Sequence, residues 1–377
     1  MNRPLHRKLL LFQFGPVHEE LAPLFISAST GANCSITASL HVGSRLNKGD
    51  IFSALDEKDL QHHRVIYRDR GLGMDQLFSH IVQSAKQSGI RHVLFLTLQD
   101  SWTVALAVKV AASGLCVLGI IHNVNKLIEN PDVLNFWLQH RATPLVLSKH
   151  VASAVSKALG FNQGSVRILH SVFTPSPHLL RNNQSPDTSQ INIGITGGVN
   201  YANRPFPLLI ETFITLLRQD PPLASRLVFQ VLGGGKDLAR LGQDIIAAGL
   251  ERHFCLPQLG KGILKNSYEA YFQRLGICDY VLCMDTPHYL SLKITSAIPT
   301  AISFCKPLIC SDALSAIYEV GNMSISSDDL CVALARAAQH SDHARCSAAA
   351  ASMRCDAIRS NESTIIDLVS SGLSPEQ

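Results

Sequence analysis

Short apolar runs recur along this chain, each followed by a longer segment with helical spacing, and that alternation constrains the fold more than any other feature. Residues 9–14, 93–98, 115–122, 145–147 and 166–169 form a first set of such runs. Residues 191–196, 227–232, 280–283 and 308–309 form a second. Strands that are apolar almost throughout are buried on both faces, which is the habit of parallel sheets covered by helices. In PFPLLIETFITLL, Phe206, Leu209, Ile210, Phe213 and Leu217 fall on one helical face, with Pro205 in the first turn. The pattern predicts an α/β protein built from βαβ units.

At 377 residues the chain is long for one core and comfortable for two. The pattern breaks at TPSPHLLRNNQSPDTSQ, residues 174–190, which is rich in Pro, Ser, Asn and Gln and has no apolar period. We read it as a linker between an α/β domain of residues 1–173 and another of residues 191–360, followed by a C-terminal helix and tail, residues 361–377. Residues 328–370 are Ala- and Ser-rich and helical in pattern, with Arg336, Arg345, Arg354 and Arg359 expected to face solvent.

Hydrophobic residues make up 46% of the chain and charged residues 16%, a globular balance. The net charge of +4 suits an anionic small molecule or a loose membrane-surface contact. Without a basic run or a basic stretch studded with aromatics, nucleic acid is not an expected partner. The apolar run 9–14 is too short for a secretion-signal core and lacks a small-residue cleavage site, so it reads as a first strand. No apolar stretch reaches the ~18 residues that span a membrane. Most of the ten cysteines sit in apolar runs and read as buried thiols in a reducing compartment. The spacings Cys278/Cys283 and Cys305/Cys310 allow zinc, but zinc knuckles space their cysteines more tightly. The expected location is the cytoplasm, with at most peripheral contact to the inner face of a membrane.

Glycine turns carry the functional signal. INIGITGGVNYANRPF runs strand, turn, helix. Gly197 and Gly198 allow close backbone approach to a ligand, Arg204 stands just ahead of the helix, and the helix start offers free N–H groups. The arrangement suits a phosphate or diphosphate, or else is a tight turn with a solvated Arg. A second turn, VFQVLGGGKDLARL, contains Gly233, Gly234, Gly235 and Lys236. It fits neither the P-loop, because Asp237 takes the Ser/Thr place, nor the dinucleotide fingerprint, because Leu238 takes the last Gly place. ATPase and dehydrogenase are therefore set aside. No Gly-x-Ser-x-Gly elbow, His-Glu-x-x-His or Asp-x-Asp pair is present. Any phosphate must then be neutralised by Arg, Lys and helix N-termini, without a metal.

In the first half, FQFGPVHEELAPLF turns at Gly15 and Pro16 and opens a helix with His18, Glu19 and Glu20; capping and substrate roles both remain open. GIIHNVNK sets His122 and Asn123 directly after a buried strand, the place where open α/β sheets bind ligands. His122 is a candidate contact to a sugar hydroxyl or a reacting oxygen, with a purely structural role as the alternative. In YLSLKITSAIPTAISFCKPLIC, residues 289–310, a polar cluster of Lys293, Thr295 and Ser296 precedes an apolar helix.

Taken in order, these segments resemble a glycosyltransferase of the GT-B fold, of the group 1 type, weakly in the first half and better over residues 191–320. GITGGVNYANRPF matches the family's strand and glycine turn with a basic residue, Arg204 replacing the usual Lys. VLGGG matches its strand ending in Gly-x-Gly, and YEAYFQRLGICDYVLCMD its helix and strand with an aspartate, Asp285. AISFCKPLICSD matches its Gly-Lys-Pro, with Cys305 for the Gly; IIHNV and PLVLSKHVASAVSKALG match its first-half strand–His and Ser–helix segments. The resemblance implies two Rossmann-like α/β/α domains facing across a cleft, an acceptor bound mainly to the first and a nucleotide-sugar mainly to the second. It implies hexosyl or related transfer to a glycan, lipid or small molecule, without a cofactor. His122, Arg204 and Lys293 would be catalytic. Gly197, Gly198, Asn203, Gly233, Gly235, Asp285, Thr295 and Ser296 would bind the donor, with base contacts near Leu259 and Gly260. Gly15 and His18 would lie on the acceptor side. Many retaining members carry two donor-site glutamates; those places are Leu292 and Thr300 here. The rival expectations are a sugar-nucleotide epimerase, or a degenerate protein that binds a nucleotide-sugar or a partner without turnover.

Overall fold

The computed structural model describes residues 7–15, 18–43, 49–69, 71–140, 142–162, 164–180, 190–257, 267–284 and 286–370. The chain divides into two compact units. One takes in Met1–Phe173, Ser291–Ile294 and Asp356–Gln377; the other takes in Thr174–Leu290 and Thr295–Cys355. Residues 291–294 and 356–360, which the apolar pattern assigns to the second half, thus join the first unit.

The first unit holds a seven-stranded sheet: β1 Arg7–Phe12, β2 Cys34–His41, β3 Arg64–Arg68, β4 His92–Phe95, β5 Cys116–Ile120, β6 Thr143–Val146 and β7 Arg167–Ile168. Their order is β3-β2-β1-β4-β5-β6-β7, and every pairing is parallel. Phe12, Phe95, Leu106, Val117 and Trp137 belong to its core. The second unit holds a six-stranded sheet: β8 Ile191–Ile195, β9 Leu227–Val231, β10 Phe254–Cys255, β11 Tyr280–Leu282, β12 Leu308–Cys310 and β13 Ser324–Ser326. Here the order is β10-β9-β8-β11-β12-β13, again all parallel. Ile193, Ile195, Phe213, Phe229 and Tyr280 lie in its core. In each sheet the first strand has neighbours reached in opposite directions, so its carboxyl end is a switch point where such sheets accept ligands.

All nine apolar runs contain strands, although several end earlier than the run. Four strands are additions. β2 carries Ser35, Thr37 and Ser39, yet Ser39 is fully buried because its hydroxyl meets His80 Nε2 at 2.9 Å. On the edge strand β3, the buried Arg68 guanidinium donates to the Gln13 carbonyl and lies 4.3 Å from the Phe12 ring centre. β10 and β13 are two and three residues long, too short to show a period.

The helical C-terminal stretch breaks at His340, in the left-handed region at φ +61°, into helices Leu330–Gln339 and His343–Ser370. Arg354 is drawn inward rather than facing solvent: its Nη1 donates to the Ser303 carbonyl at 3.1 Å. Asn361 is fully buried. Its Oδ1 accepts from His170 N and its Nδ2 donates to His170 O, both at 2.8 Å, so the last helix is fastened beside β7.

Candidate functional site

In the second unit two turns interlock at the carboxyl ends of neighbouring strands. β8 leads into Gly197, whose φ of +77° is one that a side chain adopts only with strain. β9 leads into Gly233–Gly235. Val199 N donates to Gly234 O at 2.7 Å and Leu232 N to Ile195 O at 2.9 Å. The packing leaves no room for a methyl group. A Cβ on Gly233 would overlap the Gly197 carbonyl, and one on Gly235 would overlap the Val199 carbonyl. Arg204, 9% exposed, curls back over the first turn, and its Nη1 donates to Gly198 O at 2.6 Å. Asn203 lies on the same tight turn, its N–H donating to Asn200 O at 3.0 Å. The structure therefore brings Gly197, Gly198, Asn203, Arg204, Gly233 and Gly235 together. A guanidinium has five N–H donors, so the bond to Gly198 leaves most of Arg204's capacity for an anion.

Two hydroxyls that the motifs do not reveal lie beyond the carboxyl ends of adjacent strands. Thr196 follows β8 and Thr286 follows β11, and the Oγ1 atoms of both are buried with no hydrogen-bond partner among the described residues. A buried polar group left unpaired costs about 1–3 kcal/mol, so each needs a reason, and a ligand at the strand ends is one. A lone Thr after an apolar run carries no signal of this in sequence.

Thr295 is spent on structure. Its N–H donates to the Tyr318 hydroxyl at 3.1 Å, and its Oγ1 accepts from Ala297 N at 3.3 Å at the start of helix Ala297–Ser303. Ser296, by contrast, is exposed. Lys306 is also structural: it is buried, and its Nζ donates to Gly276 O at 2.8 Å. Cys305, standing where the family has Gly, sits at φ +53°, which explains that glycine. Asp285, Leu259 and Gly260 lie outside the described residues.

In the first unit the structure pairs two of the chosen residues. The rings of His18 and His122 stack with centroids 4.0 Å apart and planes 14° apart. His18 has φ +61°, and its Nδ1 lies 3.5 Å from Glu20 Oε1. His122 follows β5. Its backbone N–H and that of Asn123 both donate to Gln99 Oε1 at 3.1 Å. Its Nε2 lies 2.7 Å from the Leu96 carbonyl, which can only accept, so Nε2 carries the hydrogen and Nδ1 is left as the lone pair. Burial first, and then the neighbouring His18, hold its pKa down at about 3 against the opposing pull of the Leu96 carbonyl and Glu20. His122 is thus a neutral hydrogen-bond acceptor near neutral pH and too weak a base to hold a proton there.

Lys293 belongs to this unit as well. It forms an antiparallel bridge with Asn123, its carbonyl oxygen lies 3.2 Å from His150 Nε2, and the preceding Leu292 carbonyl accepts from Val124 N at 3.2 Å. Among the described residues, a methyl group placed on Gly15 would meet no heavy atom within 4 Å.

No protein-family model matches the sequence, and no curated protein does either. Solved structures are similar over nearly the whole length. Anabaena Alr3699/HepE, crystallised with UDP, aligns over 97% of this chain and 100% of its own, at 16% identity and a TM-score of 0.61. A glycosyltransferase from Rickettsia africae ESF-5 aligns over 99% and 100%, at 12% identity and 0.63. S. aureus MnaA, solved with UDP, aligns over 99% of each chain at 12% identity and 0.54. With its two parallel, helix-covered sheets, the chain has the GT-B fold, built from two Rossmann-like α/β/α domains.

Proposed function

We propose that this protein is a glycosyltransferase that moves a sugar from a nucleoside diphosphate sugar to an acceptor. The observation that carries the reading is the interlocked pair of glycine turns with Arg204 folded over them. Glycine there keeps side chains away, and the guanidinium faces the strand ends where this fold takes ligands. HepE has been solved with UDP and with UDP-glucose, which supports a uridine donor here.

In this reading Arg204 and the turn N–H groups stabilise the diphosphate as negative charge gathers on it during departure of the sugar. Lys293 is kept as a cationic contact to a phosphate. His122, neutral with Nδ1 as its lone pair, accepts a hydrogen bond from a sugar or acceptor hydroxyl and orients it. Asn203 and Ser296 are assigned donor contacts, and His18 and Gly15 a place on the acceptor side. Cationic and backbone donors make a metal unnecessary for the leaving group in this scheme. The missing donor-site glutamates, Leu292 and Thr300, favour a second reading, in which a nucleotide-sugar binds without turnover.

Calorimetric titration of UDP into wild type, Arg204→Ala and Arg204→Lys tests the site. A lost charge-assisted pair is worth about 1.5–3 kcal/mol, or about 10- to 150-fold in affinity. Arg204→Ala should weaken binding by that factor, and Arg204→Lys, which keeps the charge, by less. Equal affinity in all three would sink the assignment. Release of labelled sugar from UDP-, GDP- or ADP-sugars then separates transferase from binder, and isomer exchange would point to the epimerase.

A further inference from the structure

Asp279, His340 and His343 come together in the second unit, far apart in sequence and outside the glycine-turn site. One carboxylate oxygen and one ring nitrogen from each histidine lie within 4.8 Å of one another. Asp279 stands just before β11, at its amino end. His340 and His343 form the corner between helices Leu330–Gln339 and His343–Ser370. The sheet is parallel and the glycine turns lie at its carboxyl ends, so this trio sits at the opposite end of the same sheet.

We propose that these three side chains form a three-ligand site for a divalent transition metal of the zinc class, with the fourth position left to water. Two imidazoles and one carboxylate suit zinc, nickel or copper rather than magnesium, which prefers oxygen donors. Each donor is steadied from outside, as ligands of such metals usually are. Asp279 Oδ2 accepts from Asn192 N at 2.7 Å. His343 Nε2 lies 3.2 Å from the Asp279 carbonyl, and His340 Nδ1 lies 3.3 Å from the Tyr280 hydroxyl. Each ring has a partner for one nitrogen and offers the other.

The rings stack 4.3 Å apart with planes 16° apart. All three residues are half-buried, which leaves an entry path. Tetrahedral zinc holds N and O ligands at about 2.0–2.2 Å, so donor pairs must close to about 3.3–3.5 Å, a rotation of the side chains rather than of the backbone. His340 is the left-handed C-cap of helix Leu330–Gln339, its N–H donating to Ala337 O at 3.0 Å. Arg226 and Lys306 oppose a cation electrostatically, but each donates to a carbonyl, Ala338 O and Gly276 O, at 2.8 Å.

The test is calorimetric titration of ZnCl2 into EDTA-dialysed full-length protein, with MgCl2 as the comparison. The expected result is one zinc per chain with a Kd on the order of 1 μM or tighter, and a melting temperature that climbs with zinc concentration. Magnesium should do neither. Asp279→Asn, His343→Gln and His340→Asn should each weaken zinc by at least about tenfold while leaving UDP affinity unchanged; asparagine is chosen at 340 because it tolerates positive φ. Circular dichroism identifies the variants that remain folded. Absence of zinc uptake, uptake undiminished in the folded variants, or equal response to magnesium would each overturn the site.

Discussion

Replacing Gly233 by alanine puts a methyl group against the Gly197 carbonyl, a backbone atom with no side-chain freedom to yield. Relief requires the two turns to separate. Overpacking of this kind costs about 1–3 kcal/mol. Separation also strains the bonds between the turns, Val199 N to Gly234 O at 2.7 Å and Leu232 N to Ile195 O at 2.9 Å, each worth about 0.5–1.5 kcal/mol. The expected loss is about 2–4 kcal/mol, a large share of the 5–15 kcal/mol typical of a domain. Gly198→Ala is the internal control, because its methyl group would come 3.3 Å from Gly234 O, a contact that needs only a small shift. Urea unfolding followed by circular dichroism measures both, and UDP titration reports on the site. Gly233→Ala should lower the midpoint markedly and weaken UDP by at least about tenfold, with Gly198→Ala closer to wild type. If Gly233→Ala matched wild type in both assays, the interlocking of the turns would be refuted.

Cys305→Gly should stabilise the protein. A non-glycine residue at φ +53° carries about 1–2 kcal/mol of strain, offset in part by about 0.5–1 kcal/mol of extra chain entropy, so a gain of up to about 1 kcal/mol is expected in urea midpoints; an unchanged or lower midpoint would count against that strain. His122 makes stability depend on pH. Its folded pKa, about 3, lies below the ordinary value, so the unfolded chain binds the proton more readily and stability falls as pH drops from about 6.5 toward 3. His122→Asn should flatten that part of the urea midpoint-versus-pH curve, and an equally steep curve would count against the burial argument.

The strands that could be read from sequence are those whose burial is purely apolar. β2 escaped because its buried residues include Ser39 and Thr37, and the Ser39 hydroxyl is satisfied by a partner distant in sequence, His80. The glycine turns were legible because close backbone packing admits few other residues, and Gly197, Gly233 and Gly235 all meet backbone or guanidinium atoms where a methyl would go. The pattern around Lys293 did not show which unit holds it. Its segment reads as part of a donor-site loop, yet its backbone pairs with Asn123 and His150 of the first unit. Thr196, Thr286 and the Asp279–His340–His343 trio were invisible because each depends on strand adjacency or a helix corner that no local spacing encodes. The positive φ of His18 and of Cys305 was hidden for a related reason: neither residue type advertises it.

Asn361 has a consequence for how this protein is made. Its amide bonds both the N–H and the carbonyl of His170, beside β7. A nascent chain emerging from the ribosome exposes the first sheet early, but this side-chain partner of His170 follows 191 residues later. The N-terminal unit therefore cannot finish folding before the second unit has been translated, although domains usually fold in order as they emerge. During that interval the His170 backbone, beside the edge strand β7, lacks the two bonds that Asn361 later supplies.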